Sequence, residues 1–191
     1  MKKVLFFALA FVIVSQALKA QTGSILVGGS INFSSTKIPS SPNNTKYTSF
    51  DFNPTIGYQF TDNWTVGLVG DIGAANNTNA AGAGLKENIF GVGPFVRYAK
   101  SLSNIFAIYG QVQGVFGTDK LGNVKSNTAG ISAFPAVFIN VKNGFGLNFT
   151  VGGISYSSSK PSGGSSTNTF GLTFGKSVGI GLSKNFGGSK K

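Results

Sequence analysis

Apolar side chains in this chain recur at every second position, and they do so in eight separate stretches. In FDFNPTIGYQF (50–60), Phe50, Phe52, Pro54, Ile56, Tyr58 and Phe60 occupy one parity, while Asp51, Asn53, Thr55, Gly57 and Gln59 occupy the other. A two-residue period is that of a strand with one apolar and one polar face. Beyond residue 20 no stretch sustains a 3.6-residue apolar period, so the fold class is all-β.

The other seven strands read the same way. Ile25, Val27, Ile31 and Phe33 oppose Ser24, Gly28, Ser30 and Asn32, and Trp64, Val66, Leu68 and Ile72 oppose Thr65, Gly67 and Asp71. Phe90, Val92, Pro94, Val96 and Tyr98 oppose Glu87, Gly91, Gly93 and Arg97. Phe106, Ile108, Val112 and Phe116 oppose Ala107, Tyr109, Gln111 and Gln113. Three more follow around Ile131–Ile139, Phe145–Val151 and Val178–Phe186. The connections TDN (61–63), AKSLSN (99–104) and VKNG (141–144) are short, whereas 35–46, 74–86, 118–127 and 158–167 read as long polar loops. Short turns at one end and long loops at the other predict an eight-stranded antiparallel up-and-down transmembrane barrel.

The direction of the apolar faces follows from volume. Eight strands enclose an interior only just wide enough for side chains. Turned inward, the Phe, Ile and Val of these strands overfill it; turned outward, they leave small and polar residues on the axis. Closure also leaves no edge strand in hydrocarbon. Two lipid-facing aromatic girdles are expected: Tyr58, Phe60, Trp64, Tyr98, Phe106, Phe145 and Phe186 near the short turns, and Phe33, Phe50, Phe52, Phe90 and Phe116 near the long loops. Pro54, Pro94 and Pro135 lie inside strands at similar depth and are read as bulges, because proline removes a ladder hydrogen bond.

The first residues differ in kind. Lys2 and Lys3 precede the apolar run Val4–Leu18, and Ala20 closes it, the order of a cleavable signal peptide. Residues 1–20 are therefore expected to be removed, leaving 21–191 as one outer-membrane barrel domain. There is no cysteine, hence no disulfide and no lipid-modified N-terminal cysteine. Without Lys2, Lys3 and Lys19 the 16 basic residues become 13 against 5 acidic ones, a net charge of +8. The lysines are scattered singly with no basic cluster among exposed aromatics, so nucleic acid is not an expected partner. An outer leaflet of anionic head groups suits them.

On the stretches NPTIGYQF (53–60), GPFVRYAK (93–100) and PAVFIN (135–140), the chain resembles the small bacterial outer-membrane β-barrels of the OmpA/OmpX-like, eight-stranded kind. The likeness covers essentially all of 21–191, through loose motifs that mark an architecture rather than an activity. It implies residence in a Gram-negative cell envelope, contact with outer-membrane lipids, help from the barrel-insertion machinery during assembly, and a monomer. One departure is the end, where GGSKK follows Phe186 in place of a terminal aromatic.

Few charges face inward. Asp51, Asp71 and Glu87 are expected near the long-loop end, and Arg97 toward the short turns. They form either a cation-attracting mouth or a hydrogen-bonded plug with loop lysines such as Lys46 or Lys86. Phe95, Tyr109, Gln111, Gln113, Phe134 and Phe138 should obstruct a continuous channel. With no histidine and no cysteine, imidazole or thiolate catalysis and the usual metal sites are excluded, and neither enzymatic activity nor a cofactor is expected. Three roles remain open: a structural or surface-interacting envelope protein, a porin-like transporter of small solutes through a narrow lumen or lateral opening, or a secreted lipocalin-like binder.

Overall fold

A computed structural model describes residues 23–39, 44–78 and 84–187, so the expected signal peptide lies outside the described residues. Eight strands follow in order: β1 (Ser24–Ile38), β2 (Thr45–Gln59), β3 (Trp64–Thr78), β4 (Gly84–Ser101), β5 (Phe106–Leu121), β6 (Val124–Lys142), β7 (Phe145–Pro161) and β8 (Thr167–Gly187). Each pairs antiparallel with its neighbours in sequence, and β1 pairs with β8, so the sheet closes into a barrel.

The turn rim, where β2–β3, β4–β5 and β6–β7 connect, is built from local chemistry. Asn143 and Gly144 join β6 to β7 with φ of 50° and 75°. A two-residue hairpin with positive φ at both positions twists with its strands, and Asn-Gly is the pair that tolerates it. In the other two turns a hydroxyl organises the backbone: Thr61 Oγ1 accepts from the amides of Asn63 and Trp64, and Ser103 Oγ from those of Ile105 and Phe106.

The loop rim corrects the sequence reading. The stretch 118–127 is not a loop. β5 runs to Leu121 and β6 starts at Val124, leaving only Gly122 and Asn123 between them. Strands likewise enter the stretches 35–46, 74–86 and 158–167, so each strand is 15–21 residues long, where a bilayer crossing needs about 10. Backbone pairing continues through polar Thr, Ser and Asn because the ladder requires amides, not an apolar face.

The prolines are corrected too. Opposite Pro54 and Pro94 the ladder lapses, but the register on either side is unchanged. Proline deletes its hydrogen bond without adding a residue. Only Pro135 sits in a register shift, between Ala133 and Ala136 where β6 meets β7.

Side-chain exposure divides by parity. Ile25, Val27, Ile31, Ile56, Leu68, Phe90, Val92, Val112 and Phe116 are among many large apolar residues exposed on the outer wall, and among the described residues no large side chain is fully buried. A continuous apolar exterior of this extent is stable against hydrocarbon, not water. The ladders of the closed sheet satisfy most of the backbone there, so the barrel is a transmembrane one. The interior is less hydrophilic than the sequence suggested. Leu26, Val69 and Phe95 form a small apolar cluster with Val115 beside it, on the parity read as polar. The Phe95 ring fits because Gly57 and Gly67 face it; a Cβ built on them would stand 2.8 and 2.6 Å from ring carbons.

Candidate functional site

Leu26, Val69, Phe95, Tyr109 and Gln111 are each at most 6 % exposed and fill the lumen toward the turn rim. Arg97 stands among them. Its Nε and Nη2 both donate to Gln111 Oε1, at 2.8 and 2.6 Å, and its guanidinium lies 4.1 Å from the Tyr109 ring centroid and 5.6 Å from that of Phe95. Gln111 Nε2 passes the chain on to Gln113 Oε1 at 2.7 Å. No carboxylate among the described residues pairs with Arg97, so its charge is held by an amide oxygen and two aromatic faces.

The acidic residues lie further toward the loop rim. Asp51 Oδ2 accepts from Asn32 Nδ2 at 3.2 Å, and Asp71 Oδ1 accepts from Asn53 Nδ2 at 3.1 Å. Their partners are strand asparagines, not the loop lysines the sequence suggested; Lys46 and Lys86 are exposed on the outer parity. Glu87 faces Asp119 and Asp51. Asp119 was missed because it falls in a stretch read as loop, yet it belongs to β5 and pairs Ser126. Burial, first, and then the nearby Asp119 and Asp51 carboxylates raise the Glu87 pKa above the ordinary glutamate value. So Asp51 and Glu87 come together, Asp71 lies deeper with Asn53, and Arg97 is apart from all three.

The aromatics expected to form girdles lie on the outer parity of their strands or in the turn that follows β2. Phe33, Phe50, Phe90, Phe116, Trp64, Tyr98, Phe106, Phe145 and Phe186 are exposed, while Phe52, Tyr58 and Phe60 are half-buried. Trp64 and Tyr98, opposite each other on β3 and β4, pack edge-to-face at 4.9 Å. Tyr156, Phe170 and Phe174 extend the exposed outer set, and Tyr47 is exposed on the inner parity at the loop rim.

Between plug and loop rim lies a cavity of about 810 Å³, lined by Asp71, Arg97, Gln113, Asn148 and residues of β1 and β8 among others. Asn148 Nδ2 donates to Ser183 Oγ at 2.7 Å, but its Oδ1 is buried without a partner.

Two solved membrane barrels align with this chain. The translocator domain of the autotransporter NalP from Neisseria meningitidis is 14% identical over 94% of this chain, with a TM-score of 0.40. This chain spans 66% of that domain's length, just under two thirds. The outer membrane protein Ail of Yersinia pestis, whose backbone structure was obtained in a phospholipid bilayer nanodisc, is 16% identical over 87% of this chain and all (100%) of its own, with a TM-score of 0.34. No protein-family model matches the chain, and no characterised protein matches it by sequence. The barrel therefore stands on its own pairing and exposure.

Proposed function

We propose that this chain is an integral outer-membrane barrel whose role is structural and surface-contacting, and that a rim of cations holds it against an anionic head-group layer. The carrying observation is the placement of lysines. Lys37, Lys46, Lys86, Lys120, Lys125 and Lys160 are all exposed and lie beyond the apolar band on the loop-rim ends of the strands. Two pairs stand directly opposite each other across a hairpin, Lys37 with Lys46 and Lys120 with Lys125. Like charges opposed on a sheet repel, and an anionic surface relieves that repulsion, each lysine near it contributing about 1 kcal/mol. The carboxylates Asp51, Asp71, Glu87 and Asp119 all take the inner parity, which leaves the outer rim uniformly basic. The filled turn-rim half supports a structural role over axial transport, and the apolar exterior argues against a soluble lipocalin-like binder.

Membrane fractionation and electrophoresis of unboiled and boiled samples test the membrane assignment: the protein should stay with detergent-extracted membranes and change mobility on heating. For the head-group contact, wild type should fold faster into vesicles containing an anionic phospholipid than into purely zwitterionic ones, an advantage that added salt removes. Changing Lys37, Lys46, Lys120 and Lys125 together to Gln should abolish most of that preference. An unchanged preference in the quadruple variant would defeat the head-group reading while leaving the barrel intact.

A further inference from the structure

One junction of the barrel is zipped over only part of its length. β1 pairs β8 from Ser24 with Gly187 to Gly29 with Leu182 and no further, although β1 continues to Ile38 and β8 begins at Thr167. On their other sides the same strands stay paired almost to the loop rim, Ile38 with Thr45 and Ser159 with Thr167. Beyond the last shared pair, β8 bulges away: its register with β7 jumps from Thr150↔Gly179 to Gly152↔Phe174, so residues 175–178 stand opposite Val151 alone. Gly175, at φ 69°, allows the detour. The parted edges carry Ile31, Val178 and Ile180, all exposed on the outer parity, so the opening lies within the apolar band.

The 810 Å³ cavity is lined both by lumenal Arg97, Gln113 and Asn148 and by those outward-parity residues Ile31, Val178 and Ile180. It reaches the outer wall at the seam. Unpaired strand edges in hydrocarbon are costly unless water or a polar group serves them, and the cavity supplies access for either. Inside, Gln111 occupies two of the five guanidinium donors of Arg97. Asn148, 9 % exposed, keeps an unpartnered Oδ1.

We propose that the β1–β8 seam admits a single-chain amphiphile with an anionic head from the bilayer. The head enters the cavity toward Arg97, and the chain lies between the parted strands against Ile31, Val178 and Ile180. A guanidinium free of carboxylates and with spare donors is a fit for carboxylate or phosphate oxygens. Asp71 lines the same cavity, but its strand partner Gly91 is six residues from Arg97 on β4, about 20 Å at ~3.3 Å per residue. Charge thus directs the head to the Arg97 end. The volume suits a small-molecule site, which spans roughly 300–1,000 Å³.

The absence of cysteine makes a clean test possible. Val178→Cys at the seam and Ile131→Cys on the β6 outer wall replace side chains that are 58% and 55% exposed. Each variant is labelled with a fluorophore, placed in zwitterionic nanodiscs and titrated with a doxyl-labelled stearate or its methyl ester. The acid should quench the seam label saturably, the Ile131→Cys label only in proportion to the amount added, and the ester should saturate at neither. Arg97→Gln should raise the half-saturating concentration by about tenfold or more. If Arg97→Gln fails to show the heat-dependent mobility shift of a folded barrel, the acid-against-ester comparison on protein with Arg97 intact decides. Equal, unsaturable quenching at both positions overturns the proposal, as does an ester that behaves like the acid. Preferential disulfide-linked dimers of unlabelled Val178→Cys would also overturn it, by assigning the edges to a second copy.

Discussion

Glu87 sits inside the loop rim of a barrel that turns its carboxylates inward and its lysines outward. Its proton is held above the ordinary glutamate value by burial first, then by the neighbouring Asp119 and Asp51 carboxylates. The sign follows: a carboxyl whose folded pKa is raised contributes stability below its unfolded pKa, and loses it as pH rises through the folded value. The urea midpoint of the folded barrel should therefore fall as pH climbs from the acid range through the raised value. Glu87→Gln should flatten that fall and match or exceed wild type at neutral pH, by less than about 1 kcal/mol because the group is largely solvated. A variant clearly less stable than wild type at neutral pH would mean the carboxylate holds the rim together. The inward parity of Asp51, Asp71, Glu87 and Arg97 was legible because alternation fixes which face a residue takes. Their partners were not, since parity carries no information on depth, and Asn32, Asn53 and Gln111 became neighbours only once the register was known.

Strands show the same division between what alternation encodes and what it omits. All eight were legible where an apolar face exists, and the Asn143-Gly144 turn was marked by its own chemistry. The upper hairpin of β5 and β6 was not, because Thr118 against Asn127 and Lys120 against Lys125 look like loop to any apolar template. What holds that hairpin is its ladder and Gly122, at φ 58°. A Cβ there would meet only Leu85 Cδ2, at 3.5 Å, so the obstacle to substitution is backbone conformation rather than space. Gly122→Val should cost about 1–3 kcal/mol, the range for a side chain forced into the left-handed region. Gly110→Val is the control, since nothing lies within 4 Å of its Cβ position and its φ is not positive. Urea unfolding of the two variants in detergent should separate them; equal losses would show that strand propensity, not the turn, sets the effect.

At the scale of the molecule, the two faces of the wall face opposite solvents, and a charge reports which solvent each one meets. Leu68, 52% exposed, lies on the outer face of β3, two residues from Val66 and midway between Trp64 and Ile72. An arginine there stands near the bilayer midplane, where it costs about 2–4 kcal/mol, too far from either interface to snorkel without strain. Thr65 is a poor inner counterpart, although its parity is right, because it is 5% exposed and paired with Arg97. A second cation there has neither room nor an anion. Thr55 instead lines the open cavity that also holds Asp71, so an arginine reaches water and a carboxylate on the same side. Leu68→Arg should therefore impair assembly into vesicles, seen as loss of the heat-dependent mobility shift, with Thr55→Arg close to wild type and Thr65→Arg in between. Were Leu68→Arg to assemble as well as Thr55→Arg, the outer wall would not be in lipid at that height.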